Sequence, residues 1–185
     1  MKRTVALLST MVFLFALSVA AQQMQHKKPE DKSKRPSPPA TAEMAFANGK
    51  KITIDYSSPR MRGRKIMGGL VPYGKIWRTG ANEATSFVTE ADLVVNGTKV
   101  PAGKYTLYTL PGADAWKLII NKQTGQWGLT YHEDQDLARI PMKVGKTKAP
   151  VEDFTIAFVK HGSKAADLVM EWENTRLSVP IKEVK

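Results

Sequence analysis

The sequence predicts an all-β fold, an antiparallel β-sandwich with a long glycine-rich basic loop. Apolar residues alternate with period two in short runs from residue 51 onward. Gly, Pro and Asn-Gly punctuate those runs at short intervals, and no stretch of ten or more residues carries a convincing helical period.

Residues 51–56 place Ile52, Ile54 and Tyr56 on one face. Residues 92–95 and 98–100 flank Asn96-Gly97 and read as a tight hairpin, because Asn and Gly accept the positive φ of a type I′ turn. Pro101-Ala102-Gly103 breaks the chain before a strand at 104–110, which Pro111-Gly112 ends. Residues 116–121 gather Trp116, Leu118 and Ile120. Residues 154–159 are apolar on both faces, which predicts a central strand. Leu168, Met170 and Trp172 alternate with Val169, Glu171 and Glu173. Leu177, Val179 and Ile181 close the chain, where Pro180 points to a sheet edge.

The N-terminus reads as an export signal. Lys2 and Arg3 form a positive start, an apolar run follows from Val5, and small residues at Ser18, Ala20 and Ala21 offer cleavage sites. The expected organisation is a signal peptide at 1–21, a disordered Pro/Lys-rich tether at 22–42 and one β-sandwich domain at 43–185. The protein is expected to be exported, to the periplasm or beyond, with no transmembrane segment after cleavage. The chain has no cysteine, which excludes a disulfide framework, a thiolate metal site and a Cys nucleophile.

Of the net charge of +11, +5 lies in residues 1–42 and +6 in residues 43–78, while residues 79–185 carry 13 basic and 13 acidic side chains. Basicity that local argues against nucleic acid as a partner and for at most one positive patch.

Residues 57–85 refuse the alternating pattern, being glycine-rich, basic and long. A connection of that length inside a compact domain is usually functional or mobile. The stretches IDYSSP at 54–59, GRKIMGGLVPYGKIWRTGANEAT at 63–85 and PAGKYTLYTLPG at 101–112 resemble a bacterial family known as domain of unknown function 2911. WKLIINK at 116–122 and LVMEWENTRLSVPI at 168–181 fit it too, so the likeness covers about residues 45–185. The resemblance implies an exported bacterial protein and carries no activity or catalytic residue with it.

Within the loop, Trp77, Arg78, Asn82, Glu83 and Thr85 bring an aromatic ring, a guanidinium, an amide, a carboxylate and a hydroxyl together. On a ligand-binding reading, Arg78 grips a carboxylate or phosphate, Asn82 and Glu83 hold sugar hydroxyls, and Trp77 stacks on a ring. On a structural reading, Arg78 and Glu83 form an ion pair pinning the loop, with Asn82 and Thr85 satisfying backbone groups. The basic run Arg60, Arg62, Arg64 and Lys65 reads as a solvated loop or as a face for an anionic partner.

Gly69–Lys75 resembles a phosphate-binding loop, but Ile76 stands where a Ser or Thr must reach magnesium. His132 with Glu133, Asp134 and Asp136 lacks the spacing of a metal loop and reads as a solvated turn, so no metal or other cofactor is expected. If there is catalysis, Glu83 is the candidate carboxylate and His132 its partner. The leading expectation is a non-catalytic module binding a small polar or anionic ligand or glycan. A structural or protein-interaction role and a hydrolase are its alternatives.

Overall fold

The computed structural model describes residues 30–184. Every element lies in the compact unit Lys32–Lys185. Nine strands form it: β1 Pro39–Ala45, β2 Lys51–Ser57, β3 Thr85–Thr89, β4 Leu93–Val95, β5 Thr98–Val100, β6 Gly103–Leu110, β7 Trp116–Asn121, β8 Asp136–Lys160 and β9 Ala165–Glu183. Among the described residues the helical content is two single 3-10 turns, Lys32–Lys34 and Glu133–Gln135. No helix there is long and apolar enough to cross a membrane. The expected signal peptide and the first part of the tether lie outside the described residues.

The all-β antiparallel expectation holds, but the strands make one continuous sheet in the order β1-β2-β3-β6-β7-β8-β9-β4-β5 in place of two separate ones. β8 provides the continuity. Its first residues, to Met142, pair with β7, and from Lys143 onward it pairs with β9. The sheet curls over one core, because strands distant in that order touch. The Ile156 amide donates to the Tyr56 hydroxyl at 3.0 Å, and the Ser58 hydroxyl donates to the Phe154 carbonyl at 2.7 Å. Ile54, Phe87, Leu107, Ile120, Leu168 and Trp172 meet in that core. Full burial of each such side chain contributes about 1.5–3 kcal/mol.

The predicted hairpin forms, with Asn96 at φ 42° and Gly97 at φ 83° joining β4 to β5. Three expectations are corrected. β1 begins at Pro39, inside the stretch whose composition reads as tether, because Ala42 and Met44 reach the core while its polar residues face out. Residues 154–159 do not form a strand buried on both faces. Phe154 and Ile156 point into the core while Ala157 and Val159 are exposed, since this part of β8 pairs with β9 alone. Pro180 is not at a sheet edge. It stands where β9 changes partner, between Ser178 paired to β8 and Ile181 paired to β4, so its missing N–H is not needed.

Candidate functional site

The connection from β2 to β3 carries isolated bridges, Arg60 with Asp153, Met67 with Val71, Trp77 with Thr109 and Glu83 with Trp127. It is nonetheless anchored along its length. Ile66 and Val71 are fully buried plugs in the core. The Glu173 carboxylate accepts the amides of Ile66 at 3.3 Å and Met67 at 3.1 Å. The amide of Met61 donates to the Glu152 carbonyl at 2.9 Å.

Trp77 ties the loop to β6, its amide donating to the Thr109 carbonyl at 2.8 Å and its carbonyl accepting the Thr109 amide at 2.9 Å. Its ring stacks on Trp172 at 5.7 Å and meets the edge of Phe154 at 4.9 Å. Arg78 follows directly and lines a cavity of about 420 Å3, which Trp77, Trp172, Tyr108 and Tyr131 also line.

Beside Arg78 the backbone is strained. Thr79 is buried, β-branched and at φ 55°, a conformation that costs roughly 1–3 kcal/mol and clusters at ligand and active sites. Thr85 helps to hold it there, its hydroxyl donating to the Thr79 carbonyl at 2.8 Å, and the Thr79 hydroxyl reaches that of Thr109 at 3.2 Å. Thr85 is fully buried, so it supports the site from beneath.

Arg78 is half-buried, and among the described residues the one hydrogen bond of its side chain runs from Nε to the Gly80 carbonyl at 3.4 Å. Among the described residues no carboxylate pairs with it. Burial pulls its pKa below the ordinary arginine value. The stem is gripped at Gly128, where an added Cβ would lie 2.5 Å from Arg78 Cδ and 2.8 Å from the Asn82 carbonyl oxygen. Only a residue without a Cβ lets the two loops approach so closely. Tyr131 is fixed by donating to Asp136 at 2.6 Å and accepting from Arg139 at 2.7 Å. Burial and the Asp136 carboxylate push its pKa up to about 12.

The expected pairing of Arg78 with Glu83 does not form. Glu83 pairs with the N-terminal segment, 2.9 Å from Lys32 Nζ, and accepts from Arg35 Nη1 at 3.0 and 2.7 Å. The Lys32 hydrogen bond leads the contacts that lower its pKa to about 2. Asn82, at φ 57°, donates through Nδ2 to the Ser37 carbonyl at 3.2 Å, and its own carbonyl accepts the Gly128 amide at 3.1 Å. Neither Asn82 nor Glu83 lines the cavity. His132 is exposed beside the Glu133–Gln135 turn, and no hydrogen bond or ion pair joins it to Glu83 among the described residues. The neighbouring acids are engaged too, since Asp136 and Glu133 each contact Arg139 at 2.8 Å.

Arg60 of the basic run pairs with Asp153 at 2.9 Å. Arg64 donates to the carbonyls of Met61 at 3.0 Å and Arg60 at 2.6 Å and lines the same cavity as Arg78. Sequence reasoning missed Tyr108, Gly128, Leu129 and Tyr131 as cavity residues, although the exposed Trp127 beside Gly128 marks that loop. It also missed Lys32 and Arg35 as the partners of Glu83.

These features define a class: an all-β protein whose long β2–β3 connection folds back to wall a cavity lined by Arg64 and Arg78, with no carboxylate paired to Arg78 among the described residues. The chain belongs to the family described as protein of unknown function (DUF2911), whose model matches residues 37–181, from just ahead of β1 to near the end of β9. Neither a curated protein nor a solved structure matches it.

Proposed function

We propose that this chain is an exported, non-catalytic binding module that takes a small polar or anionic ligand at Arg78. One observation carries the reading: a half-buried guanidinium lines a cavity of about 420 Å3 and has no carboxylate partner among the described residues. Desolvating a cation without a matching anion is costly, and an anionic ligand relieves that cost. The strained Thr79 next to it supports the same reading.

Hydrolysis is the weaker reading. A carboxylate held at about 2 by Lys32 and Arg35 is a poor acid or base near neutral pH, and Glu83 stands outside the cavity. Calorimetric titration with a broad panel of anionic metabolites and envelope glycans tests the proposal. Binding that Arg78→Ala abolishes supports it, and a panel without any Arg78-dependent ligand refutes it.

A further inference from the structure

We propose that the ligand of this cavity is a small amphiphilic organic anion, with a carboxylate or phosphate head at Arg78 and an acyl or aryl body along the apolar wall. The inference rests on reading the cavity as a binding site and names the chemistry it takes.

The polar lining comes first. The charged groups of the cavity are two guanidiniums, Arg78 and Arg64, and among the described residues no carboxylate or side-chain amide lines it. The Arg64 guanidinium is set by backbone carbonyls. Asp153 and Glu152 do not line the cavity, Asp153 lying in charge contact with Arg60 at 2.9 Å and Glu152 accepting the Arg62 amide at 2.8 Å. The phenolic hydroxyls are committed as well. Tyr108 donates to the Thr130 carbonyl at 2.5 Å and accepts from Gln126 at 3.1 Å, while Tyr131 serves Asp136 and Arg139. Guanidiniums donate and never accept. They match a carboxylate or phosphate bidentately, whereas the several donors of a sugar's hydroxyls would find few acceptors here, Ser37 adding a single hydroxyl to the lining. Asn82 and Glu83, which a glycan would have needed, are spent on Ser37, Lys32 and Arg35.

The apolar lining then gives the body of the ligand. Leu70, Pro72 and Ile76 of the long loop and Leu129 from the β7–β8 connection surround the tryptophan floor. Leu70 is 47% and Leu129 76% exposed. Isolated exposed leucines are ordinary. Two on one cavity that Trp77 and Trp172 also line give it an apolar side beside its polar one, which an acyl or aryl body covers favourably. A volume of about 420 Å3 is that of a small-molecule site, not of a groove for a polymer.

The test is calorimetric titration of decanoate, decyl phosphate, galacturonate and inorganic phosphate into the purified protein. Decanoate or decyl phosphate should bind about tenfold or more tightly than galacturonate and phosphate, and the tighter of the two identifies the head group. Arg78→Ala should weaken that binding about tenfold or more. Leu129→Ser, at a position too exposed to disturb folding, should weaken it about threefold to tenfold. Thermal melts confirm that each variant is folded. Galacturonate or phosphate binding as tightly as the decyl compounds, still through Arg78, overturns the amphiphile and leaves the cavity a binding site. Decyl compounds that bind equally well to Arg78→Ala overturn both. Absence of binding by either decyl compound overturns the inference alone, and the broader anion panel then decides the reading beneath it.

Discussion

Arg78 and Glu83 leave the same loop with opposite charges, yet among the described residues Glu83 alone meets opposite charge. Glu83 is met by Lys32 and Arg35 from the N-terminal segment and becomes part of the architecture. Arg78 lines a cavity beside aromatic rings and has no counterion among the described residues. The backbone takes positive φ at Thr79 and again at Asn82, so the chain changes direction between the two charges. The comparison teaches that closeness in sequence does not make a pair. What each charge does is decided by the segment that packs against it.

The comparison can be broken most forcefully at its common support. Trp172 is fully buried, stacks on Trp77 and donates from its indole to the Glu152 carbonyl at 3.0 Å. Trp172→Ala should cost about 3–5 kcal/mol in urea unfolding and remove the cavity floor. Gly128→Ala is narrower. Its methyl must displace the Arg78 stem or the Asn82 carbonyl, which should cost about 1–3 kcal/mol and weaken ligand binding, read by unfolding and calorimetry together.

On the other side of the comparison, Glu83→Gln should cost about 1 kcal/mol, because 39% of the side chain stays in water, which screens the pair. The sign of the pH effect follows from a folded pKa of about 2 against an ordinary value of 4.5. The stabilisation is complete above about pH 4.5 and is lost as pH falls towards 2. Wild-type stability should therefore fall more steeply than that of Glu83→Gln across that window in acid unfolding. Parallel curves would show that the Glu83 contacts contribute nothing to folding.

Much of this was legible in the sequence, for reasons that differ by element. β2, β4, β5, β6 and β7 announce themselves because alternation and turn residues are local properties. β3, which begins where the long loop ends, escapes notice because Thr85 and Thr89 take buried positions that alternation normally gives to apolar residues. The first half of β8 carries Pro141, Gly145 and the exposed Lys143 and Lys146, and is held by its ladder partners rather than by its own composition. The loop itself stood out by length and composition, and Arg78 by residue type. The roles of its neighbours did not, because they depend on distant contacts. Arg35 meets Glu83 across 48 residues of chain, and Gly128 grips Arg78 from another connection.

The most direct test of the central claim is the urea-unfolding free energy of Arg78→Met, which keeps the apolar stem and removes the charge. A group kept for a ligand rather than for folding should leave stability within about 0.5 kcal/mol of wild type, or raise it. A loss on the order of 3 kcal/mol, as when a buried pair loses one partner, would mean that Arg78 holds the loop together and that the cavity is not a ligand site.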